Sequence, residues 1–192
     1  PEQYSTLESL GLIIPNTAED FLYQITSGAQ IISIDASSYQ DCSIVQNLSM
    51  PIDVESHLIE TADLILDLGT TEHVFCPGNS LFNGVRMLKG GGFLVSSVPC
   101  NGSPLHGMYQ ISPNSFASLQ TNGFMKTMLL AIFQPFTNQN QIDKQSCLLF
   151  PYMNITNGMD TDELICDWFD NNKDAHCFYI GKRSMKEVSL NS

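Results

Sequence analysis

Three residues in this chain combine chemically capable types with close or bridgeable spacing: Glu72 and His73, adjacent in Asp67–Phe75 (D-L-G-T-T-E-H-V-F), and His106 in a later loop, L-H-G-M-Y-Q. A carboxylate with two imidazoles is suited to moving protons near neutral pH. His106 is the first choice for a general base, because the loop around it is glycine-flanked; the alternative is a structural histidine that hydrogen-bonds the loop of Glu72. Tyr109 reads either as lining an acceptor pocket or as covering the core. Glu72, His73 and His106 include metal-ligating types, but their spacing matches no metal motif and no metal is expected. The six cysteines contain no C-x-x-C pair, so free buried thiols are the reading for them. His57 and His176 have no chemical neighbours in sequence and read as structural.

These residues need elements to hold them. Leu64–Leu68 is aliphatic on both parities, the habit of a strand buried on both faces, and it stops at Gly69, Thr70, Thr71, Glu72 and His73. The next apolar run, Phe93–Pro99, is a second strand, and the loop Cys100–Ile111 beyond it brings His106 and Tyr109 beside Glu72 and His73. Between the two strands, Pro77-Gly78 opens a helix with Leu81, Phe82, Val85 and Leu88 on one face, closed by Gly90–Gly92. Ser112-Pro113 starts another helix, with Phe116 and Leu119 inward and Asn122-Gly123 as its stop.

Earlier in the chain, residues 5–14 read as a short strand passing into a loop at Gly11. Thr17 caps a helix that carries Glu19 and Asp20 in its first turn and ends at Gly28. Gln30–Ile34 is a strand ending in Asp35, a carboxylate placed to accept both hydroxyl protons of a ribose; a helix N-cap before Ala36, Ser37 and Ser38 is the equal alternative. Tyr39–Ile52 reads as a helix or turn followed by a loop, and Asp53–Thr61 as a short helix. After the strand Phe124–Phe133 comes a polar insertion, residues 134–173, offering a surface for protein partners. A last strand, Ala175–Arg183, precedes a frayed tail.

Alternating strands and helices over 192 residues predict one α/β domain, 1–192, with a mainly parallel sheet. The formal charge of -12 argues against sequence-independent binding to nucleic-acid phosphates. No apolar run has the length of a membrane span. The sequence starts at Pro1 rather than at a methionine, as a fragment or a processed chain would, and a cytoplasmic location is expected. Sequons at Asn47, Asn101 and Asn154 would suit secretion, but an Asn-rich chain produces them by chance.

The ordered set ILDLGTTEHVF, LKGGGFLVSSVP and HGMYQISPNSF resembles class I S-adenosylmethionine-dependent methyltransferases, over roughly Ser5 to Phe133. A strand followed by D-x-G-T-x-E-H-V-F, a helix ending in L-K-x-G-G, a strand ending in proline and H-G-x-Y-Q-x-S-P resemble one bacterial-type subgroup of that family. The resemblance implies a Rossmann-like three-layer sandwich with a seven-stranded, mainly parallel sheet whose last strand is antiparallel. It further implies S-adenosylmethionine as cofactor and a small-molecule or sugar-type acceptor. Asp35 would hold the donor's ribose, with Ala36 and Ser37 flanking it and Asn47 and Leu48 beside the adenine. Asp67, Gly69 and Thr70 would wall the methionine portion, and Glu72, His73, His106 and Tyr109 would face the acceptor.

The family's first motif supplies several glycines so that backbone can approach the donor. Here Gly11 stands alone, followed by Leu12, Ile13 and Ile14. The competing expectation is therefore a methyltransferase-like domain without catalysis, serving as a structural or interaction subunit. A dinucleotide-dependent oxidoreductase is disfavoured by the lack of a G-x-G-x-x-G fingerprint.

Overall fold

The structure, a computed structural model, describes residues 17–38, 41–135, 147–151 and 174–185. The chain divides into two compact units, Pro1–Asn47 and Leu48–Ser192.

In the first unit the helix α1, Ala18–Ile25, begins where Thr17 Oγ1 accepts from the Asp20 amide at 3.0 Å. That bond satisfies one of the amides a helix start leaves without a partner. The helix ends as expected at the Ser27-Gly28 pair, both at positive φ, with the Gly28 amide donating to Tyr23 O at 2.9 Å. The strand expected at Gln30–Ile34 is reduced to β1, Ile34–Asp35. It pairs in parallel with β2, Ile44–Val45, which lies where a helix or turn was expected. Two successive β-branched residues at 44 and 45 account for the strand.

The second unit is a five-stranded mixed sheet. In chain order its elements are β3 (Ala62–Asp67), a one-turn 3-10 helix (Thr71–His73), α2 (Pro77–Met87), β4 (Leu88–Asn101), α3 (Pro113–Thr121), β5 (Met125–Pro135), β6 (Cys147–Pro151) and β7 (Ala175–Arg183). The spatial order is β3-β4-β7-β5-β6. β3 is parallel to β4, with Leu64 opposite Phe93 and Asp67 opposite Ser96. The last strand, β7, is antiparallel to both β4 and β5, as the resemblance implies; β6 adds an antiparallel edge within the segment read as a polar insertion. Residues 134–135 belong to β5, and 136–146 and 152–173 lie outside the described residues.

The described strands thus form a two-stranded and a five-stranded sheet, and the expected seven-stranded sheet is not seen among the described residues. Only one of the four pairings in the larger sheet is parallel, because β7 runs against both of the strands that flank it, β4 and β5, and β6 reverses again relative to β5.

One face of the larger sheet carries the core. By register and alternation, Leu94 and Val98 of β4, Cys177 and Tyr179 of β7 and Leu130 of β5 share it, and α2 and α3 cover it with Leu81, Val85, Phe116 and Leu119. Phe116 stacks on Tyr179 with ring centroids 4.8 Å apart. A second helical layer, which a three-layer sandwich requires, is not seen among the described residues of this unit.

Three local expectations differ. Among the described residues β3 is the edge of its sheet and pairs with β4 alone, and Leu64 is 48% exposed rather than buried on both faces. Residues 53–61 form turns, tied to the end of α2 by the Glu60 and Thr61 amides donating to Arg86 O and Met87 O. Gly90–Gly92 does not close α2, which already ends at Met87; these glycines lie within the first residues of the strand β4, which starts at Leu88. Gly91 sits at φ +84, and a Cβ on Gly92 would lie 3.1 Å from Asp63 O, so glycine here permits a strand irregularity and a close approach.

Candidate functional site

The loop after β3 is ordered by Asp67. Its Oδ1 accepts from the amides of Thr70 and Thr71 at 3.0 and 3.2 Å, and its Oδ2 accepts from Ser96 Oγ of β4 at 3.1 Å. Thr71 Oγ1 meets Ser80 Oγ of α2 at 3.0 Å. With both neighbours of the turn fixed, the 3-10 helix Thr71–His73 points Glu72 into the protein and leaves His73 half exposed.

The loop after β4 is fastened to the same turn through the backbone. The amides of Met108 and Tyr109 both donate to Glu72 O, at 2.8 and 3.1 Å, and the Ile111 amide donates to Pro99 O at 2.8 Å. Tyr109 Oη donates to Phe75 O at 2.9 Å, bridging the two loops, so this tyrosine helps build the site's wall. Gly107, at φ +71, makes the approach sterically possible: a Cβ there would lie 2.9 Å from Glu72 Cγ. Gly69, at φ +103, flanks Glu72 elsewhere, where a Cβ would lie 3.2 Å from Oε1.

These contacts bring together the three residues singled out from the sequence. Glu72 is fully buried, and neither of its carboxylate oxygens has a hydrogen-bond partner. Oε1 lies 3.4 Å from Nε2 of His106 and 3.9 Å from Nε2 of His73. The two imidazoles meet edge to face with centroids 5.1 Å apart, and their side chains are 57% and 52% exposed. The result is a buried carboxyl group capped by two solvent-facing imidazoles. Burying a carboxylate without hydrogen bonds costs several kcal/mol, roughly, unless something offsets it.

Large apolar side chains stand exposed on both loops, Leu68 and Phe75 on one and Leu105 and Met108 on the other. Sequence reading did not single them out, and the only signal was their place in the same two loops. It also missed Asn83, a fully buried helix residue whose side chain bonds Leu48 O, Met50 O and the Ile52 amide, holding that incoming segment on α2.

The remaining candidates are dispersed. Asp67 and Thr70 are engaged within the β3 loop, and Leu48 offers its carbonyl to Asn83. Asp35, Ala36, Ser37 and Asn47 belong to the first unit, where Asp35 is exposed at the end of β1 and its Oδ1 accepts from the amide and hydroxyl of Ser37 at 2.8 and 3.1 Å. That is a turn-forming carboxylate rather than a cap on a helix among the described residues. Gly11 lies outside the described residues.

Cys42, Cys76, Cys100 and Cys177 are free thiols. Burial pushes the Cys100 thiol up to about 11 and that of Cys177 well above the ordinary thiol range. Neither is poised as a nucleophile at neutral pH.

No family model matches the chain, and no curated protein matches it significantly. Among solved structures it is similar to a chain of the complex between the Haloferax volcanii Trm112 methyltransferase activator and a protein described as a methyltransferase. The TM-score is 0.41 at 12% identity, covering 77% of this chain and 64% of that one, so this chain spans less than two thirds of its neighbour's length. Among the described residues no helix is long and apolar enough to cross a membrane.

Proposed function

We propose that this chain transfers a methyl group from S-adenosylmethionine to a small-molecule acceptor, the sugar type included, with Glu72, His73 and His106 facing that acceptor. The observation that carries this reading is the Glu72 carboxylate, fully buried and without hydrogen bonds, under two solvent-facing imidazoles. A purely structural turn gains nothing from such a group. The ordered motifs around it and the antiparallel last strand are further support.

The donor supplies an electrophilic methyl carbon on a sulfonium. Asp35 fits a ribose-holding role, since its carboxylate is exposed at a strand's carboxyl end and oriented by Ser37. Asn47 and Leu48 would flank the adenine, and Gly11 the donor's other end. Gly69, in a loop that Asp67 holds rigid, would leave backbone free of side-chain bulk beside the methyl group, with Thr70 next to it. On the acceptor side the ring nitrogen of His106 that does not face Glu72 takes the proton of the attacking hydroxyl, while Glu72, 3.4 Å from Nε2, stabilises the imidazolium and His73 flanks the pair. The exposed Leu68, Phe75, Leu105 and Met108 suit an acceptor with an apolar portion.

A non-catalytic, methyltransferase-like subunit is the second reading, favoured by one feature: the single Gly11 followed by three bulky aliphatic residues. Calorimetric titration with S-adenosylmethionine or its demethylated product separates the two. Binding is expected, with Asp35→Ala weakening it by about 1–3 kcal/mol. No heat at millimolar ligand overturns the enzyme reading in favour of the subunit. An unchanged affinity in the variant removes Asp35 from the site.

A further inference from the structure

We infer that Glu72, His73 and His106 form a binding site for one divalent transition-metal ion, with zinc the best chemical fit. The three donor atoms lie within 4.8 Å of one another. Ligands about 2.0–2.1 Å from a tetrahedral zinc stand about 3.3–3.5 Å apart. The Glu72–His106 separation of 3.4 Å already has that value, and 3.9 Å for Glu72–His73 needs only a small rotation of an exposed imidazole. One carboxylate and two imidazoles form the ligand set that suits zinc and its first-row neighbours, and not magnesium or calcium, which favour oxygen.

A second observation points the same way. Both Glu72 oxygens are buried and lack a hydrogen-bond partner, which is costly for an anion unless a cation meets it. The carboxylate is rigidly presented, with its backbone carbonyl held by Met108 and Tyr109 and its flanks walled by Gly69 and Gly107. The two imidazoles are exposed, so three protein ligands would close the ion's inner side and leave its outer side open to water or an acceptor oxygen.

The site stands on these three residues alone and is independent of the methyl-transfer reading. With an ion on Nε2, the imidazoles act as ligands and not as bases; an acceptor hydroxyl bound at the open position would then give its proton to solvent.

The test uses the full chain, reduced and freed of metal by chelator dialysis. Zinc is titrated in competition with a chromophoric chelator, and cobalt(II) is added separately while the absorption spectrum is recorded. One equivalent of zinc is expected. Cobalt should give the visible bands of a low-coordinate ion without thiolate charge-transfer absorption. Glu72→Gln, His73→Ala and His106→Ala should each weaken zinc binding at least tenfold, with folding verified by circular dichroism; the two histidine side chains are exposed enough to be removed without disturbing the core.

Absence of stoichiometric binding overturns the proposal. So does binding unchanged in the His73→Ala/His106→Ala double variant, which places the ion elsewhere, or a thiolate band with cobalt, which assigns it to cysteines. Loss of the metal site leaves methyl transfer with imidazole as base intact, and failure of donor binding leaves the metal site intact.

Discussion

Gly107 lies against Glu72 so closely that a Cβ at position 107 would fall 2.9 Å from Glu72 Cγ and 3.0 Å from its carbonyl oxygen. The glycine is also at φ +71, where other residues are strained. Gly107→Ala is therefore expected to destabilise the chain by about 1–3 kcal/mol and to displace the His106 loop. Denaturant unfolding measures the first effect; an unchanged midpoint would show that the two loops are not held as described.

Asp67 is a cross-brace, linking the amides of residues 70 and 71 to Ser96 on the neighbouring strand. Removing it leaves a hydroxyl and two amides without their acceptor. Asp67→Ala should cost about 1–3 kcal/mol, and Ser96→Ala less, since Oδ1 keeps both amides. Equal losses in the two variants would contradict this division of labour.

Glu72→Gln separates stability from function. The amide keeps the side chain's shape and replaces a buried carboxyl group that has no hydrogen bond. The metal-free variant is expected to unfold within about 1 kcal/mol of the parent, or later, while activity on any acceptor falls at least tenfold. A collapse in melting temperature would mean that the carboxylate is structural.

Alkaline pH should loosen the core. Burial holds the Tyr179 hydroxyl up to about 12 against an ordinary 10.0, and the Cys100 thiol up to about 11 against 9.0. The unfolded chain loses these protons first, so stability is fully present below pH 9 and declines as pH rises from about 9 towards about 12. Denaturation midpoints between pH 7 and pH 11 check the trend, and Tyr179→Phe should flatten the part above pH 10. A constant midpoint would refute it.

Alkylation of the native chain at pH 8, followed by peptide mass spectrometry, tests the thiols. Cys76 should label well before Cys100, and Cys177 last, because burial keeps the latter two protonated. Rapid labelling of Cys177 would place it outside the core.

Local signals in the sequence were reliable where the interaction is local. Thr17 caps α1 and Ser112-Pro113 opens α3 as expected, because these depend on a side chain reaching an amide two or three residues away. The meeting of Glu72 and His73 with His106 was legible as well, since two loops leaving the same ends of adjacent parallel strands must be neighbours. Partner choice was not legible. Leu64–Leu68 has the composition of a central strand, yet among the described residues β3 pairs on one side only, and composition cannot report which neighbours are present. The glycines at 90–92 looked like a helix stop because a stop and a strand irregularity use the same conformational freedom. The unpaired burial of the Glu72 carboxylate depends on how Asp67 orients a single 3-10 turn, which no spacing rule encodes.

The placement of β7 bears on how the chain comes to be assembled. It follows the other described strands in the chain, yet β4 and β5, on either side of it, are joined among the described residues through its hydrogen bonds. Until residues 175–183 have left the ribosome, the larger sheet is two separate ribbons, each with an open edge that other chains can pair with. A chain cut before Ala175 would retain the two loops that carry Glu72, His73 and His106 and lose the bond between those ribbons, so truncated products should aggregate.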